Sequence, residues 1–147
     1  MKLLIDGDGC PVVRIAERMA LRYQIPLVLF CDTSHVFSEF AGEVVTVGKG
    51  ADAADFALVN RCQRGDLVIT QDYGVAAMVL GKGGYALHQS GMEYTAANID
   101  GLLAERHTAK KLRASAKHHW KGPRARTPED DARFAAALEA ILNRIVK

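Results

Sequence analysis

Two aspartates, Asp6 and Asp8, stand one residue apart in the opening stretch LLIDGDGCPV. Carboxylates this close repel each other, and a bound divalent cation is the usual compensation. Ligands that are all oxygen atoms favour Mg²⁺ or Mn²⁺ over zinc. The stretch therefore suggests a site for a hard cation where the first predicted strand ends.

Three further aspartates follow predicted elements that could bring them to the same place. Asp52 and Asp55 are three residues apart in the first turns of a predicted helix, so they share one helix face. Asp72 follows the predicted strand DLVIT. Ligands of parallel α/β sheets bind beyond the carboxyl ends of the strands. We therefore expect one site for Mg²⁺ or Mn²⁺, with Asp6, Asp8 and Asp72 as its main, catalytic ligands and Asp52 and Asp55 completing the shell.

Each of these acids also has a purely structural explanation. Asp52 and Asp55 could simply favour a helix N-terminus through the helix dipole. Asp72 precedes Tyr-Gly and could be a turn aspartate. The segment from Asp6 to Asp8 could be no more than a strand-to-helix turn.

Three other residues near these segments are left outside the predicted site. Asp32, in CDTSH, is predicted to cap a loop, and Asp66 precedes its strand and so belongs to the opposite end of the sheet. Cys10 lies beside the acids, but no neighbouring residue supplies the base that a cysteine nucleophile needs. We interpret it as a small buried residue.

The acids are embedded in an alternation of strands and helices. Strands are predicted over the apolar runs KLLID, PLVLFC, EVVTV, DLVIT and YALH. The first three are predicted to be buried, and EVVTV is followed by a glycine. Between the runs, apolar residues recur at the spacing of a helix. This order predicts a three-layer α/β/α sandwich with a mostly parallel central sheet. SGMEY is predicted to be a turn. Residues 95–147 are predicted to be a helical extension whose last helix begins with Thr127 as cap and Pro128 in the first turn.

Composition limits the class of protein. The 147 residues, 49% of them apolar, fit a single domain spanning 1–147. No run of about 18 apolar residues predicts a membrane helix, and the first residues do not resemble a signal peptide. Three widely spaced cysteines without a CxxC pair favour reduced thiols in the cytoplasm.

Positive charge is concentrated in one segment. Residues 106–126 hold eight Lys or Arg and no acid, whereas residues 1–105 hold eight Lys or Arg and thirteen Asp or Glu. Such a basic segment could hold a nucleic-acid backbone, with Trp120 stacking on a base, or it could be a solvated loop. The residues predicted to contact nucleic acid are Lys110, Lys111, Arg113, Lys117, Lys121, Arg124 and Arg126.

Taken in order, the motifs DGDGCPV, GADAAD, GDLVITQDYGVA and GMEYTAANI, and the GP before EDDARFAAAL, resemble the YaiI/YqxD family of bacterial proteins. That family is similar to PIN-like domains, the fold of metal-dependent ribonucleases. The resemblance implies acids after strand one, at a central helix and after the fourth strand. The family has no settled activity, so the resemblance implies a fold more directly than a reaction.

These observations predict divalent-metal-dependent hydrolysis of phosphodiester bonds, with nucleic acid, RNA in particular, as the partner. Two alternatives remain open. A haloacid-dehalogenase-like phosphatase also has a strand followed by DxD, with Asp6 as nucleophile and Asp8 as acid and base. The second alternative is an inactive PIN-like module that binds nucleic acid or protein.

Overall fold

The computed structural model describes residues 1–32, 39–48, 52–106 and 125–146. Over these residues the chain forms six strands and five helices. The strands are β1 (Leu3–Asp6), β2 (Leu27–Asp32), β3 (Glu43–Val47), β4 (Leu67–Ile69), β5 (Tyr85–Leu87) and β6 (Glu93–Tyr94). The helices are α1 (Val13–Tyr23), α2 (Ala53–Arg61), α3 (Tyr73–Gly81), α4 (helical over 99–106) and α5 (Pro128–Ile145).

The strands form one sheet in the order β3-β2-β1-β4-β5-β6. Neighbouring strands are parallel except β5 and β6, which are antiparallel. In the sheet, β2 and then β3 lie on one side of β1. After β3 the chain passes through α2 and continues into β4, which lies on the other side of β1. The strand order therefore reverses between β1 and β4, and it is at such a point that α/β sheets open a crevice for ligands.

Helices cover both faces of the sheet. Leu3 and Ile5 of β1 are fully buried in a core formed with α1 and α5, to which α5 contributes Phe134 and Leu138. Leu4, between them in sequence, points to the opposite face, where α2, α3 and α4 pack. This arrangement confirms the predicted three-layer α/β/α sandwich with a mostly parallel sheet.

Two strands differ from the sequence-based prediction. EVVTV was predicted as a buried strand, but β3 is the edge of the sheet and Val44 is 36% exposed. SGMEY was predicted as a turn, but Glu93 and Tyr94 form β6 against β5. A two-residue strand is too short to leave a periodic pattern in the sequence.

The last helix begins as its sequence predicts. The Thr127 side chain accepts a hydrogen bond from the Asp130 backbone N–H, and the Asp130 carboxylate accepts one from Thr127 N–H. Pro128 occupies the first helical position, where a missing N–H costs nothing. In the described ranges, none of the helices is long and apolar enough to cross a membrane.

Candidate functional site

A cleft of about 590 Å³ opens at the carboxyl edge of the sheet, over the point where strand order reverses. Its acidic residues reach it from five parts of the fold: the end of β1, the loop after β1, the end of β2, the start of α2 and the residue before α3. The aspartates singled out in the sequence that line this cleft are Asp6, Asp8, Asp52, Asp55 and Asp72.

Asp6 is the most enclosed of these carboxylates, with 9% of the residue exposed. It ends β1 and lies on the same face as Leu4, so its side chain points toward the layer that contains α2. Its Oδ2 accepts a hydrogen bond from the Thr70 hydroxyl at 3.0 Å. Burial raises the pKa of Asp6, the Thr70 hydrogen bond partly offsets this, and the charges of Asp8 and Asp72 raise it further.

Asp55, in the first turn of α2, holds its carboxyl group close enough to that of Asp6 for the two to share a hydrogen bond when one of them is protonated. Burial raises the pKa of Asp55 to about 7, and the charges of Asp6, Asp72 and Asp52 add to the effect. Two carboxyl groups can share such a bond only if one of them carries a proton. The raised pKa values of Asp6 and Asp55 indicate that no neighbouring positive charge compensates both carboxylates.

Asp72 combines a structural role with a place in the cleft. Its Oδ1 accepts hydrogen bonds from Gly74 N–H at 2.8 Å and Val75 N–H at 3.2 Å, and thereby caps α3. The same oxygen is 3.3 Å from a guanidinium nitrogen of Arg106. Since these described contacts all fall on Oδ1, capping the helix does not occupy Oδ2. The turn explanation of Asp72 is thus correct without excluding a role as ligand.

Asp8 and Asp52 also line the cleft. Asp8, half-buried, accepts a hydrogen bond from the Asp32 backbone N–H at 3.1 Å, which joins the loop after β1 to the end of β2. Asp52 precedes α2 in the left-handed region with φ of +64°, an uncommon conformation for an aspartate. Within the described ranges its side chain makes no capping hydrogen bond to α2. Helix capping therefore does not account for Asp52.

Five polar or charged residues of the cleft were missed by the sequence reasoning. Asp32 was assigned to a loop cap, yet it ends β2 beside β1, so the rule that placed Asp6 applies to it too. His88 comes directly after β5 and was given no role. No short sequence pattern marked Arg106 as part of the site, because its partner Asp72 lies 34 positions away in the chain. The five are Asp32, Gln71, Tyr73, His88 and Arg106.

Hydrogen bonds fix the tautomer of His88. Its Nδ1 accepts a hydrogen bond from Ser90 N–H at 3.0 Å and lies 2.9 Å from Ser90 Oγ. A nitrogen that accepts from a backbone N–H carries no proton, so the neutral ring bears its hydrogen on Nε2. Burial lowers the pKa of His88, and the charge of Arg126 lowers it further. His88 therefore supplies the site with a neutral donor rather than a base.

Two residues left outside the predicted site, Cys10 and Asp66, do not line the cleft, although Cys10 is partly exposed and not buried as predicted. Burial raises the pKa of Cys10 to about 11, so it is a neutral thiol and not a nucleophile near neutral pH. Asp66 lies at the amino end of β4, where it is paired with Lys2 at 2.9 Å. It is thus separated from the cleft by the length of the strand.

Of the predicted nucleic-acid contacts, Arg126 lies in the described part of the chain. Its guanidinium group is paired with Asp131 at 2.6 Å and donates to the Gln89 carbonyl at 3.0 Å. Arg126 thereby ties the start of α5 to the turn after His88. The remaining predicted contacts, together with Trp120, fall outside the described residues: Lys110, Lys111, Arg113, Lys117, Lys121 and Arg124.

Across residues 1–32, 39–48, 52–106 and 125–146, no three side chains of His, Cys, Asp or Glu are already gathered closely enough to hold a metal ion by themselves. The acids share a cleft and influence one another's pKa, but they do not form a closed cage. Their oxygen-only donor set suits Mg²⁺ or Mn²⁺. Mg²⁺ keeps several of its waters and uses only one or two protein carboxylates, so a closed cage is not required.

Fold and cleft together define an α/β sandwich with an acidic crevice at its strand-order reversal. The sequence profile of the uncharacterised YaiI/YqxD family matches residues 4–144. The chain belongs to this family.

Several proteins similar to this chain are named UPF0178 proteins. A UPF0178 protein of Clostridium acetobutylicum is 57% identical over 145 residues, which is 98% of each chain. A UPF0178 protein of Lachnoclostridium phytofermentans is 46% identical over 147 residues and 99% of each chain. One from Natranaerobius thermophilus is 40% identical over 142 residues, covering 97% of this chain and 96% of its own. No solved structure gives a significant match.

Proposed function

We propose that this protein is a PIN-like, divalent-metal-dependent nuclease that hydrolyses phosphodiester bonds in single-stranded nucleic acid, RNA in particular. The observation that carries the proposal is the pairing of buried Asp6 with half-buried Asp55, both with raised pKa values, in a cleft that further aspartates line at the strand-order reversal. Two carboxyl groups this close and largely shielded from water need either a proton or a cation between them. The other acids of the cleft make a cation the better compensation, because one proton neutralises only one of them.

Asp6 and Asp55 would hold the ion, and Asp72 and Asp8 would complete its surroundings directly or through water. When bound, Mg²⁺ or Mn²⁺ supplies an activated water and neutralises charge on the phosphoryl group. Thr70 keeps Asp6 in place by its hydrogen bond. His88, fixed as a neutral donor, is suited to a phosphate oxygen or a sugar hydroxyl.

The basic segment supports nucleic acid as the substrate. The residue at its start, Arg106, lines the cleft, and Arg126 at its end is bonded to the turn that follows His88. One described end of the segment thus lines the cleft and the other is bonded to a turn beside His88, which supports a role for the segment in binding substrate. Cations there would bind the backbone phosphates on either side of the phosphodiester bond.

The test is a cleavage assay with labelled single-stranded RNA and DNA in Mg²⁺, Mn²⁺ or EDTA. We expect cleavage with either cation and none in EDTA. Asp6→Asn should abolish it, whereas Glu139→Gln, which removes a carboxylate from α5 on the other face of the sheet, should not. Calorimetric titration with Mn²⁺ alone should show binding to the wild type and weaker binding to Asp6→Asn.

Two results would contradict the proposal. Hydrolysis of an aryl phosphate with a phosphorylated Asp6 would establish the phosphatase alternative. Nucleic-acid binding without cleavage under any of these conditions would establish the inactive binding module.

A further inference from the structure

A second, smaller hollow adjoins the acidic cleft, between the first turns of α2 and α3. Its volume is about 210 Å³, below the roughly 300–1,000 Å³ of pockets that enclose a whole drug-sized ligand. It is continuous with the cleft, because four residues line both: Asp52, Asp55, Asp72 and Arg106. The residues that line it alone are Phe56, Gly74, Val75 and Met78.

Two large hydrophobic side chains face solvent in this hollow. Phe56 on α2 is 59% exposed and Met78 on α3 is 42% exposed. The buried side of α2 is formed by Ala54 and Leu58, so Phe56 lies on the face turned away from the sheet. Holding a phenyl ring in water is unfavourable, and apolar side chains exposed beside a cleft commonly contact a ligand. The ring thus has no role in packing the core.

Among the described residues that line the hollow, Arg106 is the one that carries a positive charge. It reaches from α4 to Asp72 at 3.3 Å and remains 53% exposed. A guanidinium group is planar, stacks on flat ring systems and also binds phosphate. The three carboxylates of the hollow would repel a phosphate group placed inside it. The hollow therefore suits a flat, uncharged group attached to a phosphate that lies nearby.

We propose that the hollow binds one unpaired nucleobase, next to the phosphodiester group held in the acidic cleft. The base would stack on Phe56 and contact Met78, and Arg106 would lie between base and backbone. This inference rests on the proposed function and adds to it the substrate class, since a base can enter the hollow only if it is not paired in a duplex. Stacking makes binding tolerant of sequence, because every base has a flat face.

The test is a binding measurement by fluorescence anisotropy, with short labelled single-stranded RNA and Mg²⁺. All proteins carry Asp6→Asn so that the probe stays intact. Phe56→Ala should weaken binding about 5- to 150-fold, the effect of losing one stacked base at ~1–3 kcal/mol. Phe56→Trp should preserve binding. The matched control is Leu21→Ala, since Leu21 is also 59% exposed but lies on α1, on the other face of the sheet; it should leave binding unchanged.

A second set of probes replaces one nucleotide at a time by an abasic sugar. With Phe56 present, we expect one position at which the missing base weakens binding by a similar factor. In the Phe56→Ala protein that dependence should disappear. The inference is wrong if Phe56→Ala binds the RNA as tightly as the parent, or if no abasic position matters.

These outcomes separate the inference from the proposed function. Base-dependent binding without cleavage by the wild type supports the hollow as a base site and removes the nuclease reaction alone. Cleavage with full activity in Phe56→Ala, together with unchanged binding, removes the base site alone. If the wild type binds neither RNA nor DNA, both are overturned.

Discussion

The Thr70 hydroxyl donates a hydrogen bond to Asp6 Oδ2 at 3.0 Å, although the two residues are 64 positions apart. The same oxygen of Thr70 accepts from the backbone N–H of Asp72, also at 3.0 Å. One buried hydroxyl therefore joins the end of β1 to the segment after β4. The Thr70 carbonyl accepts in turn from the hydroxyl of buried Tyr94, which ties this segment to β6.

Replacing Thr70 by valine should loosen this junction without changing its volume much. Asp6 and the Asp72 N–H would lose their partner in a buried position, so we expect the free energy of unfolding to fall by about 1–3 kcal/mol. Mn²⁺ binding should weaken, because Asp6 loses its fixed orientation. Urea unfolding and calorimetric titration measure the two effects. Thr70→Ser keeps the hydroxyl and should preserve both; a valine variant with wild-type stability and affinity would disprove the role of the hydroxyl.

The stability of the metal-free protein should depend on pH through Asp55. Its pKa in the folded protein is raised to about 7, whereas in the unfolded chain it stays near its ordinary value of 3.8. Between these values the folded state binds more protons, so stability falls as pH rises. In EDTA, we therefore expect resistance to urea to increase from about pH 8 to about pH 5.

Two comparisons test the origin of this pH dependence. Asp55→Asn removes the titrating group and should flatten the curve while raising stability near pH 8. Saturating Mn²⁺ should also flatten it, because the cation replaces the proton. An Asp55→Asn protein with an unchanged pH dependence would assign the effect to another group.

Asp66 offers the opposite case, a carboxylate that stabilises the fold and takes no part in the site. Burial alone would raise its pKa, but hydrogen bonds from Lys2 and Gln63 outweigh it, and the pKa is lowered. Its contribution is therefore present above the unfolded pKa and is lost as pH falls through the lower folded value. Asp66→Asn should cost about 1–3 kcal/mol in urea unfolding and leave Mn²⁺ affinity unchanged. Loss of affinity would mean that the two ends of the sheet are coupled.

The basic segment should determine the salt dependence of nucleic-acid binding. For single-stranded nucleic acid, each phosphate contact contributes about 0.7 to the slope of log affinity against log salt concentration. Changing Lys110, Lys111 and Arg113 together to glutamine should reduce that slope by up to about 2. Arg22→Gln, a cation of α1 paired with Glu139, should not alter it. An unchanged slope in the triple variant would exclude these residues from the interface.

The layered fold was predictable because its strands are short apolar runs separated by helical spacing. A strand buried on both faces leaves such a run, as LLI in β1 and LVI in β4 show. An edge strand can contain a similar run of apolar residues, and for this reason β3 was predicted to be buried. Its exposure depends on which strands are its neighbours, and local sequence does not contain that information.

The cleft was predictable where acids follow strands. Asp6 and Asp72 are at or beyond the ends of adjacent strands, so the parallel arrangement alone brings them together. Arg106 was not predictable, because its contact with Asp72 depends on the packing of α4 against the sheet. Phe56 was not singled out either, since a phenylalanine in a helix normally indicates a core position; only its exposure distinguishes it.

Lys2 is paired with Asp66 at the amino edge of the sheet, and the four residues of β1 then carry the chain about 13 Å to Asp6. A purification tag fused ahead of Met1 would consequently emerge on the side of the molecule remote from the acidic crevice. A bulky fusion partner or a surface-immobilisation handle at that terminus should leave the crevice open to long polymeric substrates, which makes it the preferred attachment point for the assays described above.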